Sequence, residues 1–350
     1  MTAVPVLQFL FSMPSLKNTA NDHSHPWAGH YLAERCVDKA SPIIKGQKAG
    51  LVAFMASLWS ETRFDPRLEI YTPGNLARAD AVKTVTTNAR QLKARPAGLS
   101  IIILTLDRFD LMAPLLDSLM VAKKALAGHI DIDIIVGDTG STEAALLQLY
   151  DRLAGDIAVI RDMAYQFSRC NNDAFDALAN RDLVLFLNND VSFPDATEAL
   201  SRMVRHLRQS PSTGTLGAVL HYPDGNCQHG GIDMIDNGPF AGLCFHPGHG
   251  AALTTRQDGD IWPVMAVTGA CLMMPSALFV DIGGFDEAYR TECQDVALCL
   301  AARRRGFGSE IMHAGKIIHL ENATRPQGSE DWQDRQRFVR KWRGFMEAIR

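Results

Sequence analysis

A doubly wound α/β sheet, mostly parallel and covered by helices on both faces, is the fold class this sequence predicts. Two observations predict it. From Leu99 onward, short apolar runs alternate with segments of helical period, the pattern of strands joined by right-handed helical crossovers. The runs are also continuous rather than alternating, as strands buried on both faces require.

Taken in order, "LSIIILT" (Leu99 to Thr105) is the first strand and "FDLMAPLLDSLMVAKKAL" the first helix. "IDIDIIVGD" (Ile130 to Asp138) is the second strand, followed by the helix "STEAALLQLYDRL", for which Ser141 is the expected N-cap. "IAVIR", "NNDAFDALAN" and "LVLFL" supply a third strand, a helix and a fourth strand. Past about Gly214 the texture is less regular. "GTLGAVLHYPDGNCQHGGI" reads as a strand and hairpin, "MAVTGACLMMP" as a strand and "SALFVDIGGFDE" as a short helix. "DVALCLAARRRG" is an amphipathic helix closed by Gly306, and "GKIIHLEN" a last strand. Residues 1–97 carry helical patches broken by Pro and Gly and read as a helical accessory region. Residues 326–350 read as an amphipathic helix with Trp332, Phe338, Trp342, Phe345 and Met346 on an otherwise charged surface. Packing is its expected role, and contact with a partner or a membrane surface the alternative.

Composition excludes several classes. The chain of 350 residues is 47% hydrophobic and 21% charged, with a net charge of −4, a balance that builds a globular core and gives no electrostatic footprint for a nucleic acid. The seven cysteines are scattered, with no C-x-x-C pair, which points to reduced thiols in a cytosolic protein. The N-terminal apolar run lacks a preceding basic residue and a cleavage motif. The run Ala49 to Trp59 is far shorter than the ~20 residues that span a bilayer.

The informative stretch is "LVLFLNNDV" (Leu183 to Val191), a strand greasy enough for full burial that runs into Asn188, Asn189 and Asp190. In open α/β sheets, ligands bind outside the carboxyl ends of the strands, so Thr105, Asp138 and Asn188 to Asp190 are expected around one crevice. Neither G-x-G-x-x-G after the first strand nor G-x-x-x-x-G-K-[ST] occurs. The remaining common way to hold a diphosphate is a divalent cation with oxygen ligands. Asp190 offers such an oxygen, which makes Mg²⁺ or Mn²⁺ the expected cofactor.

The blocks "SIIILT", "IIVGDTGSTE", "FSRCNNDAFDALANRDLVLFLNNDV", "LHYPDGNCQHGGI", "VTGACLMMPSALFVDIGGFDE", "CQDVALCL" and "IIHLEN" occur in that order. In this they resemble the family-two glycosyltransferases of GT-A fold, and above all their bacterial rhamnosyltransferase-like subgroup. The resemblance runs from about Leu99 to Arg325. It implies a domain over 98–325, with a nucleotide-binding half at 98–213 and an acceptor-side half at 214–325. It implies that Asn188-Asn189-Asp190 stands at the D-x-D position, with Asp190 as metal ligand. It further implies that Asp138 hydrogen-bonds the donor's pyrimidine, Thr105 lies in the first nucleotide loop and Asn171 lies under the donor site. Asp295 would be the general base and His319 a member of the metal shell.

Chemistry supports one base and one metal. Inverting sugar transfer needs a carboxylate to deprotonate the acceptor hydroxyl, while a hydrolase would need two opposed carboxylates. The expected activity is therefore transfer from a nucleotide-diphosphate sugar to a glycan or lipid-linked acceptor, in the cytoplasm or at the inner face of the membrane, in the manner of polysaccharide biosynthesis. The sequence departs from the family pattern at Ala297, where a second acid is usual, and at Leu104, Leu106 and Asp107 of the first loop. The Ala297 departure keeps a non-catalytic, transferase-derived scaffold as the alternative. A sugar nucleotidyltransferase is disfavoured because "TLDRFD" is neither glycine- nor arginine-rich. His229, His246 and His249 could be read as a zinc cluster, but glycine-rich loops of this kind are expected to be loops.

Overall fold

The computed structural model describes residues 98–235, 240–320 and 332–348; the helical accessory region expected over 1–97 lies outside them. The described chain forms two compact units, one of 98–232 with 247–320 and one of 233–235, 240–246 and 332–348. The segment around Asp233 groups with the C-terminal helix.

In the larger unit, β1 (Gly98–Thr105), β2 (Asp131–Asp138), β3 (Ile157–Ile160) and β4 (Leu183–Asn188) lie parallel, with β1 between β2 and β4. The crossovers are α1 (Phe109–Ala125), α2 (Ala144–Arg152) and α3 (Phe167–Leu178). Continuous apolar strands follow from burial on both faces: Ile101, Ile102 and Ile103 are fully buried, and no apolar residue of β4 exceeds 3% exposure. Each such side chain contributes on the order of 1.5–3 kcal/mol of burial free energy. Opposite them, α1 buries Leu111, Met112, Leu115, Leu116, Leu119 and Ala122, a stripe at helical spacing.

Beyond β4 the sheet is mixed. After the short β5 (Val191–Ser192) and α4 (Ala196–Gln209) come β6 (Thr213–His221) and β7 (Cys227–His229), then β10 (Ile261–Val264), β11 (Cys271–Pro275), α5 (Ser276–Asp281), α6 (Gln294–Arg304) and β12 (Gly308–His319). The strand order is β10-β12-β6-β11-β4-β1-β2-β3, with β5 paired to β12 and β7 to β6. β11 runs antiparallel to β4 and β6, while β12 runs parallel to β6. The start of β11 therefore lies at the same edge as the ends of β1, β2, β4, β6 and β12. That edge carries the candidate site.

The smaller unit pairs β8 (Asp233–Met234) with β9 (Cys244–Phe245) and contains α7 (Trp332–Ala348). α7 buries Phe338, Val339, Trp342, Phe345 and Met346 along one face, the expected packing. A Cβ on Gly242 (φ 93) would meet Val339 at 3.0 Å, so this turn lies directly against the helix. No described helix is long and apolar enough to cross a membrane, and none of the described cysteines forms a disulfide.

Candidate functional site at the carboxyl edge of the sheet

β1 and β2 pair in register up to Thr105 opposite Asp138, so their loops leave side by side and brace each other. Asp107 Oδ1 accepts the N–H groups of Thr142 and Glu143 at 2.7 and 2.8 Å. Glu143 Oε2 returns the bond by accepting Phe109 N–H at 2.8 Å. Asp107 thus satisfies the two amides just before α2, and Glu143, rather than the expected Ser141, is the N-cap residue. The Ser141 hydroxyl instead accepts Asp107 N–H at 2.7 Å. Closing this turn puts Asp107 and Arg108 at positive φ, 52° and 68°.

Asp138 is fully buried. Its Oδ1 accepts Gly140 and Ser141 N–H at 2.9 and 2.7 Å, and its Oδ2 accepts the Tyr150 hydroxyl at 2.9 Å. Burial alone would raise its carboxyl pKa, but these donors outweigh burial and hold it below the usual carboxylate value. Both oxygens of Asp138 accept from the chain and the residue is shut off from solvent. Asp138 thus organises the loop that follows β2.

At the end of β4, Asn188 is part-exposed, while Asn189 and Asp190 are buried. Asn189 Nδ2 donates to Thr105 Oγ1 at 3.0 Å, and that hydroxyl donates to Asp107 O at 3.0 Å. Thr105 and Asn189 thus tie the first loop to the fourth strand. Asn171 is buried within α3 and donates to Phe167 O at 2.9 Å.

His319 ends β12 opposite Val191 of β5, which brings it next to Asp190. His319 Nε2 lies 3.2 Å from Asp190 Oδ1, yet that oxygen makes no hydrogen bond and is shut off from solvent. A buried carboxylate oxygen without a donor is costly. An oxygen and a nitrogen converging in this way suit a shared cation. Among the described residues no group of three or more His, Cys, Asp or Glu is arranged to hold a metal, so the described residues would offer these two ligands and leave other positions open. This fits a cation that arrives with a diphosphate, since Mg²⁺-type ions are held by one or two side chains plus substrate phosphates.

Asp295 stands in the first turn of α6. Its Oδ2 accepts Gly269 N–H at 2.8 Å and its Oδ1 accepts Val296 N–H at 2.8 Å. Burial pushes its carboxyl above the usual value, and the bonds from Gly269, Val296 and the Thr268 hydroxyl only partly offset that. The residue keeps a part-exposed edge. Asn188 N–H donates to Ala270 O at 3.0 Å, so the Thr268 to Ala270 turn under Asp295 is bonded to the strand that carries Asp190.

No protein-family model matches the chain. The chain is 32% identical over 259 residues to an uncharacterized protein of Sinorhizobium fredii, covering 71% of this chain and 27% of that one. It is 29% identical to the O-antigen biosynthesis protein RfbC of Myxococcus xanthus, over 65% of this chain and 17% of the relative. It is 27% identical to the N-acetylglucosaminyl-diphospho-decaprenol L-rhamnosyltransferase of Mycobacterium tuberculosis, over 57% of this chain and 69% of the relative. Over part of its length the chain is thus similar in sequence to a rhamnosyltransferase. It spans about a quarter or less of the first two relatives' length. Among solved structures, GalNAc-T7 with UDP, GalNAc and Mn²⁺ aligns at a TM-score of 0.49 and 12% identity, over 64% of this chain and 44% of that chain.

The same edge also carries Gln228, which the sequence did not single out, and His229, which it offered only as part of a zinc cluster. Gln228 Oε1 lies 3.2 Å from His319 Nδ1, and His229 Nε2 accepts Thr268 N–H at 3.3 Å. Both belong to "QHGG", whose position in a hairpin beside β6 was the only signal available. Of the other two histidines in that reading, His249 has its Nε2 2.9 Å from the Tyr222 hydroxyl. Arg108, bonded to Asp110 and close enough to feel the charge of Asp190, is the cation of the first loop. Ala297 is buried in α6, so the missing second acid would not have stood on an open face.

Proposed function

We propose that this chain is an inverting, metal-dependent glycosyltransferase that moves a sugar, rhamnose or another hexose, from a nucleotide-diphosphate sugar to a hydroxyl of a glycan or lipid-linked acceptor. The observation that carries this reading is one sheet edge bearing a buried, donorless carboxylate oxygen beside a histidine and a second carboxylate of raised pKa. The sequence likeness to a transferase whose name specifies a lipid-diphosphate acceptor supports the acceptor class.

In this reading Asp190 and His319 hold Mn²⁺ or Mg²⁺, which when bound offsets the charge of the leaving diphosphate. Asp295 accepts the proton of the acceptor hydroxyl as its oxygen attacks the anomeric carbon. A carboxylate whose pKa is raised is a better base than an ordinary one. Gly269 and Val296 fix both oxygens of Asp295, so the base is aimed without rotamer search. The loops braced by Asp107, Glu143 and Asp138 receive the nucleoside, with Thr105 and Asn189 locking them to β4.

The test is a screen of UDP-, dTDP- and GDP-sugars for binding and slow hydrolysis, with and without Mn²⁺. One donor bound and hydrolysed only with metal, with Asp295→Asn binding it but not turning it over, supports the reading. No donor bound by the intact chain in the presence of Mn²⁺ refutes it and leaves the non-catalytic scaffold.

A further inference from the structure

We propose that Gln228 is a positioning residue that holds the imidazole of His319 for metal ligation, an inference that rests on the metal role of Asp190 and His319 proposed above. Gln228 is 4% exposed and His319 7% exposed, so both side chains are largely buried. The carboxamide oxygen of Gln228 lies 3.2 Å from Nδ1, while the opposite ring nitrogen faces Asp190 at 3.2 Å. An acceptor at Nδ1 keeps the ring proton there and leaves the Nε2 lone pair directed at the carboxylate. Two acceptors then face each other with no proton between them, which is an arrangement for a cation and not for a hydrogen bond. A partner on the far nitrogen also stops the ring turning away, as outer partners of metal-bound histidines do.

The placement comes from the hairpin. β7 pairs with β6 through His221 opposite Cys227 and Leu220 opposite His229, and β6 pairs with β12 through His221 opposite Ile318. His319 is thereby bracketed, by β5 carrying it to Asp190 on one side and by β7 carrying it to Gln228 on the other. Gly231, at φ 113°, turns the chain directly after this strand where a Cβ would strike Val264 at 2.5 Å, so the end of "QHGG" is shaped to keep the short strand in place.

The experiment uses Mn²⁺ alone on the full chain, with affinity read from the loss of the free-ion EPR signal and ligation read from the nitrogen modulation that a coordinated imidazole imposes on bound Mn²⁺. Gln228→Met keeps length and approximate volume but removes the strong acceptor; Gln228→Glu keeps the acceptor; His319→Ala gives the signal without an imidazole. The expected result is nitrogen-coupled Mn²⁺ in the wild type and in Gln228→Glu. Gln228→Met should bind about 10- to 100-fold more weakly and lose the nitrogen coupling while melting cooperatively. If Gln228→Met does not fold, a Gln228→Glu variant that folds but lacks the nitrogen coupling overturns the proposal equally. Wild-type affinity and coupling in Gln228→Met overturn the positioning role alone. Absence of nitrogen-coupled Mn²⁺ in the wild type overturns the metal reading itself, and this inference with it.

Discussion

His319 Nε2 stands 3.2 Å from Asp190 Oδ1 with no hydrogen bond joining them, both residues being nearly sealed from solvent. If the gap is a cation site, removing either ligand should remove the metal's several kcal/mol of transition-state stabilisation. Asp190→Ala and His319→Ala are each expected to lower kcat/KM by about 10³-fold, measured as sugar transfer at saturating Mn²⁺, with little change in melting temperature.

Asp295 should separate chemistry from binding. Asp295→Asn is expected to lower kcat by about 10²- to 10⁴-fold with donor Kd unchanged. The wild-type profile carries the second half of this prediction. Only the deprotonated carboxylate acts as base, so kcat/KM should rise with pH through the carboxyl's own pKa. Burial raises that pKa above the ordinary value, so the acid limb should lie above ~3.9. A limb at or below the ordinary value would argue against Asp295 as the base.

Gly269 lies so close to the base that its substitution reports on aim. A Cβ there would meet Asp295 Cβ at 3.4 Å and the Phe167 ring at 3.3 Å. Gly269→Ala is expected to fold, with a stability loss of no more than about 1–3 kcal/mol. It should lower kcat by up to ~10²-fold, the effect of a small misplacement, without altering Mn²⁺ affinity. Equal losses in kcat and Mn²⁺ affinity would mean that the edge deforms as a whole.

Asp138 is predicted to matter for stability first. Asp138→Ala leaves the Gly140 and Ser141 amides and the Tyr150 hydroxyl without their shared acceptor, a loss of about 1–3 kcal/mol in urea unfolding. Its folded pKa is lowered. Its contribution is therefore present above the unfolded carboxylate pKa and is lost as pH falls through the depressed folded value. The stability gap between wild type and Asp138→Ala should narrow in acid.

Much of the larger unit was legible because its signals are local. β1, β2 and β4 lie within a residue or so of the runs that announced them, since burial on both faces demands uninterrupted apolar side chains. α4 was not among the expected elements, although Ala199, Leu200, Met203, Val204 and Leu207 form its buried stripe. The first half of β12 was also missed. Its buried and part-buried residues intermix, which is neither the continuous pattern of β1 nor a clear alternation. α3 begins at Phe167, ahead of the expected "NNDAFDALAN", because Gln166 caps it by accepting Arg169 N–H.

By itself the sequence determined the strand ends: Thr105, Asp138, Asn188 to Asp190 and His319 each close an apolar run, and the parallel topology implied by crossover helices sends several of those ends to one edge. Only the tertiary structure decided which polar groups meet there. It turned Asp138 inward onto its own loop, joined Asp107 to the amides before α2, and set Gln228 behind His319 across 91 residues of chain. Periodicity records which face of an element is buried. The register of β7 on β6 and of β6 on β12 comes from pairings between distant segments, and no local pattern of residues encodes that.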